Sequence, residues 1–96
     1  MDDELKKLVE KDLGLTARAL DTLSVIAPER SYIRKIAEDF LNMATSYYED
    51  AKHFRDEGEL LRALAAVNYA HAWLDAGARL GLFDVEGNDQ LFTLAE

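Results

Sequence analysis

Three stretches of the chain carry apolar residues at alternating three- and four-residue steps, the spacing that predicts an amphipathic helix. They cover about residues 3–26, 29–57 and 59–83. The connections between them are short, and short connections place successive helices antiparallel. The pattern therefore predicts an all-α fold, an up-down-up three-helix bundle. Residues 1–96 are expected to form a single helical domain, in which residues 84–96 are a short tail.

Proline and glycine mark the predicted ends of these helices. Pro28 ends the first helix and suits the first turn of the second. Gly58 follows the last apolar position of the second helix, where glycine commonly stands. Gly14 lies inside the first stretch, where glycine costs about 1 kcal/mol of helix stability against alanine. We therefore expect a kink or short break at Asp12 to Gly14, with Thr16 as a new N-cap.

The third predicted helix is apolar or small on nearly every side. Its formal charges are few, namely Glu59, Arg62, Asp75 and Arg79. A surface helix needs only one apolar stripe. This helix is therefore expected at the centre, wrapped by the other helices or by a second chain. One of its sides is a ridge of small residues, Ala63, Ala66, Ala70, Gly77 and Gly81.

An aromatic edge, formed by Tyr69, Trp73 and Leu80, lies beyond this ridge. Two neighbouring helices cannot easily cover this edge as well as the aliphatic side of the helix. Aromatic residues are common at protein interfaces, so we expect the tail or a second subunit to cover it. The alternative is that the edge is ordinary core, since large uncovered apolar patches are rare on monomers.

The tail begins with a turn-like segment and then becomes apolar again. Gly87-Asn88-Asp89 is typical of a turn. Leu91, Phe92 and Leu94 follow within four positions. A solvated tail has no need of three large apolar side chains, so the tail is expected to pack back on the bundle or on a partner.

The charge and composition narrow the classes of partner. The net charge is −8 and the pI is about 4.6, which disfavours binding to nucleic acid. No apolar run reaches the length of a membrane span, and no targeting segment is visible, so we expect a cytoplasmic protein. There are no cysteines, which excludes disulfides, thiolate catalysis and sulfur-ligated metals.

A polar strip on the third helix holds the candidate chemistry. Asn68, His71 and Asp75 share one side of the helix, and Arg79 follows Asp75 by one turn. The strip is interpreted either as a ligand or acid/base site or as a hydrogen bond and an ion pair on the rim. The structural interpretation is favoured, because catalysis also requires a cleft.

No catalytic residue, metal site or cofactor is assigned from the sequence. His53 lies among carboxylates at helical spacing, which is the pattern of half a metal site. In helical bundles, however, metal ligands project inward, whereas His53 lies outside the apolar stripe of its helix. An exposed charged face is the favoured interpretation.

The run from Asn68 to Asp84 reads NYAHAWLDAGARLGLFD. Its part WLDAGARLGL resembles the signature of a family of small archaeal proteins known as domain of unknown function 357. The resemblance implies a three-helix bundle from archaeal cytoplasm, and it implies no activity. The residues that carry it, where function is to be sought first, are Tyr69, Trp73, Asp75, Gly77, Arg79 and Gly81.

Two functions remain open at this point. The leading hypothesis is a non-enzymatic module for protein interaction, or for self-association as a homo-oligomer, that uses the third helix and the tail. The alternative is a small-ligand-binding or hydrolytic bundle with a site around Asn68, His71, Asp75 and Arg79.

Overall fold

The computed structural model describes residues 2–87 and 91–92. Its elements, in chain order, are α1 (Asp2–Thr22), β1 (Ser24–Val25), α2 (Tyr32–Asp56), α3 (Leu60–Arg79) and β2 (Phe83–Asp84). Most interhelical contacts join α2 to α3, and α1 packs mainly on α3. The predicted all-α three-helix bundle is confirmed.

The first helix is continuous, so the predicted break at Asp12 to Gly14 is wrong. Val9 and Leu13 are buried against α2 and α3, and Thr16 is 1% exposed. Burial of such side chains stabilises the helix by more than the ~1 kcal/mol that Gly14 costs. Thr16 consequently lies inside the helix and is not an N-cap.

The connection between α1 and α2 is longer than predicted. The first helix ends at Thr22, and Ser24–Val25 then pairs antiparallel with Phe83–Asp84. Arg30 has a left-handed backbone with φ of 66°, which a helix cannot contain. Pro28 therefore does not begin the second helix.

Ser31 caps the second helix in its place. Its Oγ accepts a hydrogen bond from the backbone N–H of Arg34 at 3.1 Å and donates one to the carbonyl of Pro28 at 2.6 Å. A serine in this role satisfies a backbone donor that the helix leaves free. Arg34 secures the connection further, because its Nε donates to the carbonyl of Ala27 at 2.9 Å.

The third helix ends at Arg79, four residues before the predicted end. Gly81 has a φ of 77°. The N–H of Leu82 donates to the carbonyl of Gly77 at 2.9 Å, and the N–H of Gly81 donates to the carbonyl of Ala78 at 3.1 Å. This pair of bonds is the Schellman motif, which needs a residue that tolerates a left-handed backbone.

The chain then turns back over the helix that it has just left. The ring of Phe83 lies against Gly77 so closely that a Cβ on Gly77 would overlap it. The two glycines, 77 and 81, therefore serve the end of α3, where Gly77 is buried beneath the Phe83 ring and Gly81 is exposed.

Two apolar clusters form the core. The first lies between α1, α2 and α3 near the Gly58 turn, and its buried members are Val9, Leu13, Ala51, Ala63, Ala66 and Val67. The second lies toward the other end of the bundle and includes Leu74, Leu82, Phe83 and Val85. Leu91 and Phe92 are buried in this second cluster, so this part of the tail packs back on the bundle as predicted. Leu94 lies outside the described residues.

Candidate functional site

The third helix presents two different surfaces on its two sides. One faces α1 and is polar. The other lies along α2 and is aromatic. We call the first the α1–α3 cavity and the second the α2–α3 groove, and their residues are given below.

The α1–α3 cavity has a volume of about 280 Å³. Three residues of the predicted polar strip, Asn68, His71 and Asp75, lie on one wall. The opposite wall belongs to α1 and includes Asp12 and Thr16. The remaining lining is apolar and consists of Leu15, Val67 and Ala72. Arg79 is exposed and does not line the cavity, so the structure brings together three of the four predicted residues.

His71 forms hydrogen bonds through both ring nitrogens. Its Nδ1 lies 2.9 Å from Oγ1 of Thr16, and its Nε2 lies 2.6 Å from the carbonyl oxygen of Leu91. A carbonyl oxygen only accepts, so Nε2 carries the proton and donates it. In the neutral imidazole, Nδ1 then accepts from the Thr16 hydroxyl. The carboxylate of Asp75 lies 3.7 Å from Nε2.

These bonds decide what His71 can do chemically. A general base needs a ring nitrogen that is free to take a proton from a substrate. Both nitrogens of His71 are already engaged with the protein, one of them with the tail. The arrangement therefore supports a structural role, in which His71 joins α1, α3 and the returning chain.

The hydrogen-bond partner of His71, Thr16, was not predicted from the sequence. Thr16 was interpreted as a helix cap, although it lies on the buried stripe of α1. A polar residue on a buried stripe must find a hydrogen-bond partner, and this requirement was the available signal. Leu91 contributes through its backbone, which no side-chain pattern reports.

The α2–α3 groove lies on the side of the α2–α3 helix pair that α1 leaves uncovered. Two hollows form it, with volumes of about 580 Å³ and 250 Å³, and Tyr69 lines both. Within residues 2–87 and 91–92, the lining belongs to α2 and α3 alone. The larger hollow is lined by Tyr47, Asp50, Phe54, Arg62, Ala65, Ala66 and Tyr69. The smaller is lined by Phe40, Tyr69, Ala72, Trp73 and Ala76.

Aromatic rings form a continuous chain along the groove. Phe40 meets Trp73 with ring centroids 5.0 Å apart, Trp73 meets Tyr69 at 6.1 Å, and Tyr69 meets Tyr47 at 4.5 Å. All three pairs are nearly perpendicular, the edge-to-face geometry that aromatic rings prefer. The second helix therefore covers part of the predicted aromatic edge.

The cover is incomplete. Tyr69 remains 47% exposed and Leu80 remains 65% exposed. Leu91 and Phe92 lie on the other side of α3, beside His71. The described part of the tail is therefore not the cover that the sequence indicated.

Charges flank the groove with opposite signs. Asp50 stands on α2 and Arg62 on α3, and both line the larger hollow. The guanidinium of Arg62 lies 6.0 Å from the ring centre of Phe54 and 3.4 Å from the carboxylate of Glu59. The groove is consequently apolar along its floor and charged at its edges.

Other polar clusters in the described part of the chain are peripheral. His53 is exposed and lies 3.8 Å from Glu57. Among residues 2–87 and 91–92, no group of three or more histidine and carboxylate side chains could hold a metal ion. Arg55 joins Glu10 of α1 to the end of α2, and its hydrogen bond to Asp56 raises the pKa of its guanidinium.

These features define a small three-helix protein whose last helix is polar on one side and aromatic on the other. The chain belongs to the family described as protein of unknown function (DUF357), whose model matches residues 11–83. The matched region includes α2, α3 and the second half of α1, and it stops before Leu91. No curated protein and no solved structure matches the chain. No helix in the described part is long and apolar enough to cross a membrane.

Proposed function

We propose that this protein is a non-enzymatic protein-interaction module and that it binds its partner in the α2–α3 groove. The observation that carries the proposal is the chain of aromatic rings between Phe40 and Tyr47, which α1 leaves uncovered. Partly exposed aromatic residues in an apolar hollow are the usual anchors of protein interfaces. Alanines at 65, 72 and 76 border the rings and permit the close approach of another helix.

The charge distribution supports the same surface. The chain carries 19 acidic and 11 basic residues, whereas α3 carries Arg62 and Arg79 and a single acid, Asp75. That acid lies on the other side, in the α1–α3 cavity. The exposed side of α3 thus lacks the acidic excess that would repel other negatively charged proteins.

Site-specific photocrosslinking tests the proposal. A photoreactive amino acid at Ala65, which is exposed and lines the groove but not the α1–α3 cavity, is expected to give protein adducts in cells. The same amino acid at Arg18, exposed on α1, serves as the control and is expected to give few. Equal yields at the two positions, or no adduct at Ala65, would contradict the proposal. The mass of the adduct also separates a second copy from a different protein.

The α1–α3 cavity supports a second candidate, a small-ligand-binding protein. Two carboxylates, those of Asp12 and Asp75, line a space of about 280 Å³ together with the amide of Asn68. Such a lining favours a small cationic ligand, for example an amine. A thermal-shift screen of amines tests this candidate, because a ligand of the native state raises the unfolding midpoint. The shift should be lost in Asp12→Asn, and its persistence there would exclude the cavity.

A further inference from the structure

We infer that the occupant of the α2–α3 groove is a second copy of this chain, packed groove to groove about a two-fold axis parallel to the helices. The inference rests on the proposed function and names its partner. In this arrangement α3 of one copy lies over α2 of the other, and the four helices form an antiparallel bundle. The two α1 helices remain on the outside.

The charged edges of the groove select this symmetry. A two-fold interface brings residue i of one copy to residue j of the other and j to i. Asp50 and Arg62 line the same hollow from opposite sides. They lie within about one helical turn of each other along the bundle, because Arg62 lies over Phe54, and Phe54 is one turn from Asp50.

Rotation about an axis parallel to the helices keeps each residue at its height and exchanges the two edges. Asp50 of one copy is thereby placed beside Arg62 of the other, and the pair is formed twice. A two-fold axis across the helices would instead place the acidic edge over the acidic edge. Of these two axes, only the one parallel to the helices brings Asp50 of one copy to Arg62 of the other.

The size of the surface is sufficient for a weak dimer. The 20 residues of α3 extend about 30 Å, and two packed helices are roughly 20 Å wide. The face then measures about 600 Å² per copy, or about 1,200 Å² in total, which is the lower end of specific interfaces. We expect an equilibrium between monomer and dimer that is visible on dilution.

Charge exchange at the edges provides a test that a different partner cannot imitate. Asp50→Arg places arginine against Arg62, and Arg62→Glu places glutamate against Asp50. Each single variant should therefore dimerise about tenfold more weakly than the wild type. An equimolar mixture of the two variants should recover the dimer, since every edge pair is then opposite in sign.

Sedimentation velocity over a concentration series measures this outcome. Asp21→Arg and Arg18→Glu, both exposed on α1, make the same charge changes outside the groove and should leave the dimer unchanged. Circular dichroism melting checks that each variant is folded. Failure of the mixture to recover, or loss of the dimer in the α1 variants, would overturn the inference.

The wild-type protein separates this inference from the proposed function. A strict monomer that still gives adducts with another protein at Ala65 would overturn the second copy and leave the interaction module standing. A strict monomer without adducts at Ala65 would overturn both.

Discussion

Nε2 of His71 donates a hydrogen bond of 2.6 Å to the carbonyl oxygen of Leu91, and this bond fixes the returning chain to the third helix. Leu91 and Phe92 are buried around it. Leu91 and Phe92 are thereby held on the α1 side of α3, away from the α2–α3 groove.

Replacement of His71 should release this segment. His71→Ala removes the hydrogen bonds to Thr16 and Leu91 and should lower the free energy of unfolding by about 1–3 kcal/mol. The matched control, Asn68→Ala, changes an exposed residue of the same cavity and should stay within about 0.5 kcal/mol. Urea denaturation measures both values.

Amide hydrogen exchange distinguishes a local role of His71, which fixes Leu91 and Phe92, from a contribution to the stability of the whole protein. In His71→Ala the amides of Leu91 and Phe92 should exchange faster by a larger factor than those of the α2 core. Uniform acceleration across the chain would show that His71 is merely one core residue among others.

Gly14 and Gly77 lie within helices, and their replacement by alanine should change the stability of the protein in opposite directions. Gly77→Ala places a methyl group into the ring of Phe83 and should destabilise the protein by about 1–3 kcal/mol. Gly14→Ala meets no atom within 4 Å and should stabilise α1 by about 0.5–1 kcal/mol. Denaturant midpoints of the two variants check the prediction, and a stabilising Gly77→Ala would refute the packing described for Phe83.

The cap of the second helix should be measurable on its own. Ser31→Ala removes the acceptor for the N–H of Arg34 and should cost about 1 kcal/mol. Ser46→Ala, at an exposed position within α2, should be neutral or slightly stabilising, because alanine is the better helix former. Equal thermal midpoints for the two variants would mean that Ser31 does not hold the start of α2.

The long-range architecture of this chain could be predicted from its sequence. The apolar stripes gave the number and order of the helices, because periodicity reports which side of a helix is buried. Leu91 and Phe92 were also expected to be buried, since neither suits an exposed tail. The central position of α3 followed from its scarcity of charge.

The helix ends were predicted less well, because local contacts decide them. The left-handed Arg30 and the Ser31 cap moved the start of α2 beyond Pro28. A ladder of two residues per strand at Val25 and Phe83 is too short to leave an alternating pattern. Gly81 was interpreted as part of a helix, although glycine after a basic last turn is also the usual sign of a helix end.

The candidate site was predicted only in part for a related reason. Asn68, His71 and Asp75 share a face of one helix, and helical spacing finds such sets. The contacts that determine the role of His71 come from other parts of the chain, namely Thr16 on α1 and the backbone of Leu91. The α2 wall of the groove could not be predicted either, since an apolar stripe that includes Phe40 and Tyr47 does not show which of its members a neighbour covers.

The most direct test of the central claim is a concentration series of amide NMR spectra of the wild-type protein. If the α2–α3 groove joins two copies, the resonances of Ala65, Tyr69, Ala72 and Ala76 will shift progressively as the concentration rises. Those of Arg18 and Asp21 on the outer side of α1 will remain fixed. Shifts confined to α1, or a spectrum without concentration dependence, would contradict the account.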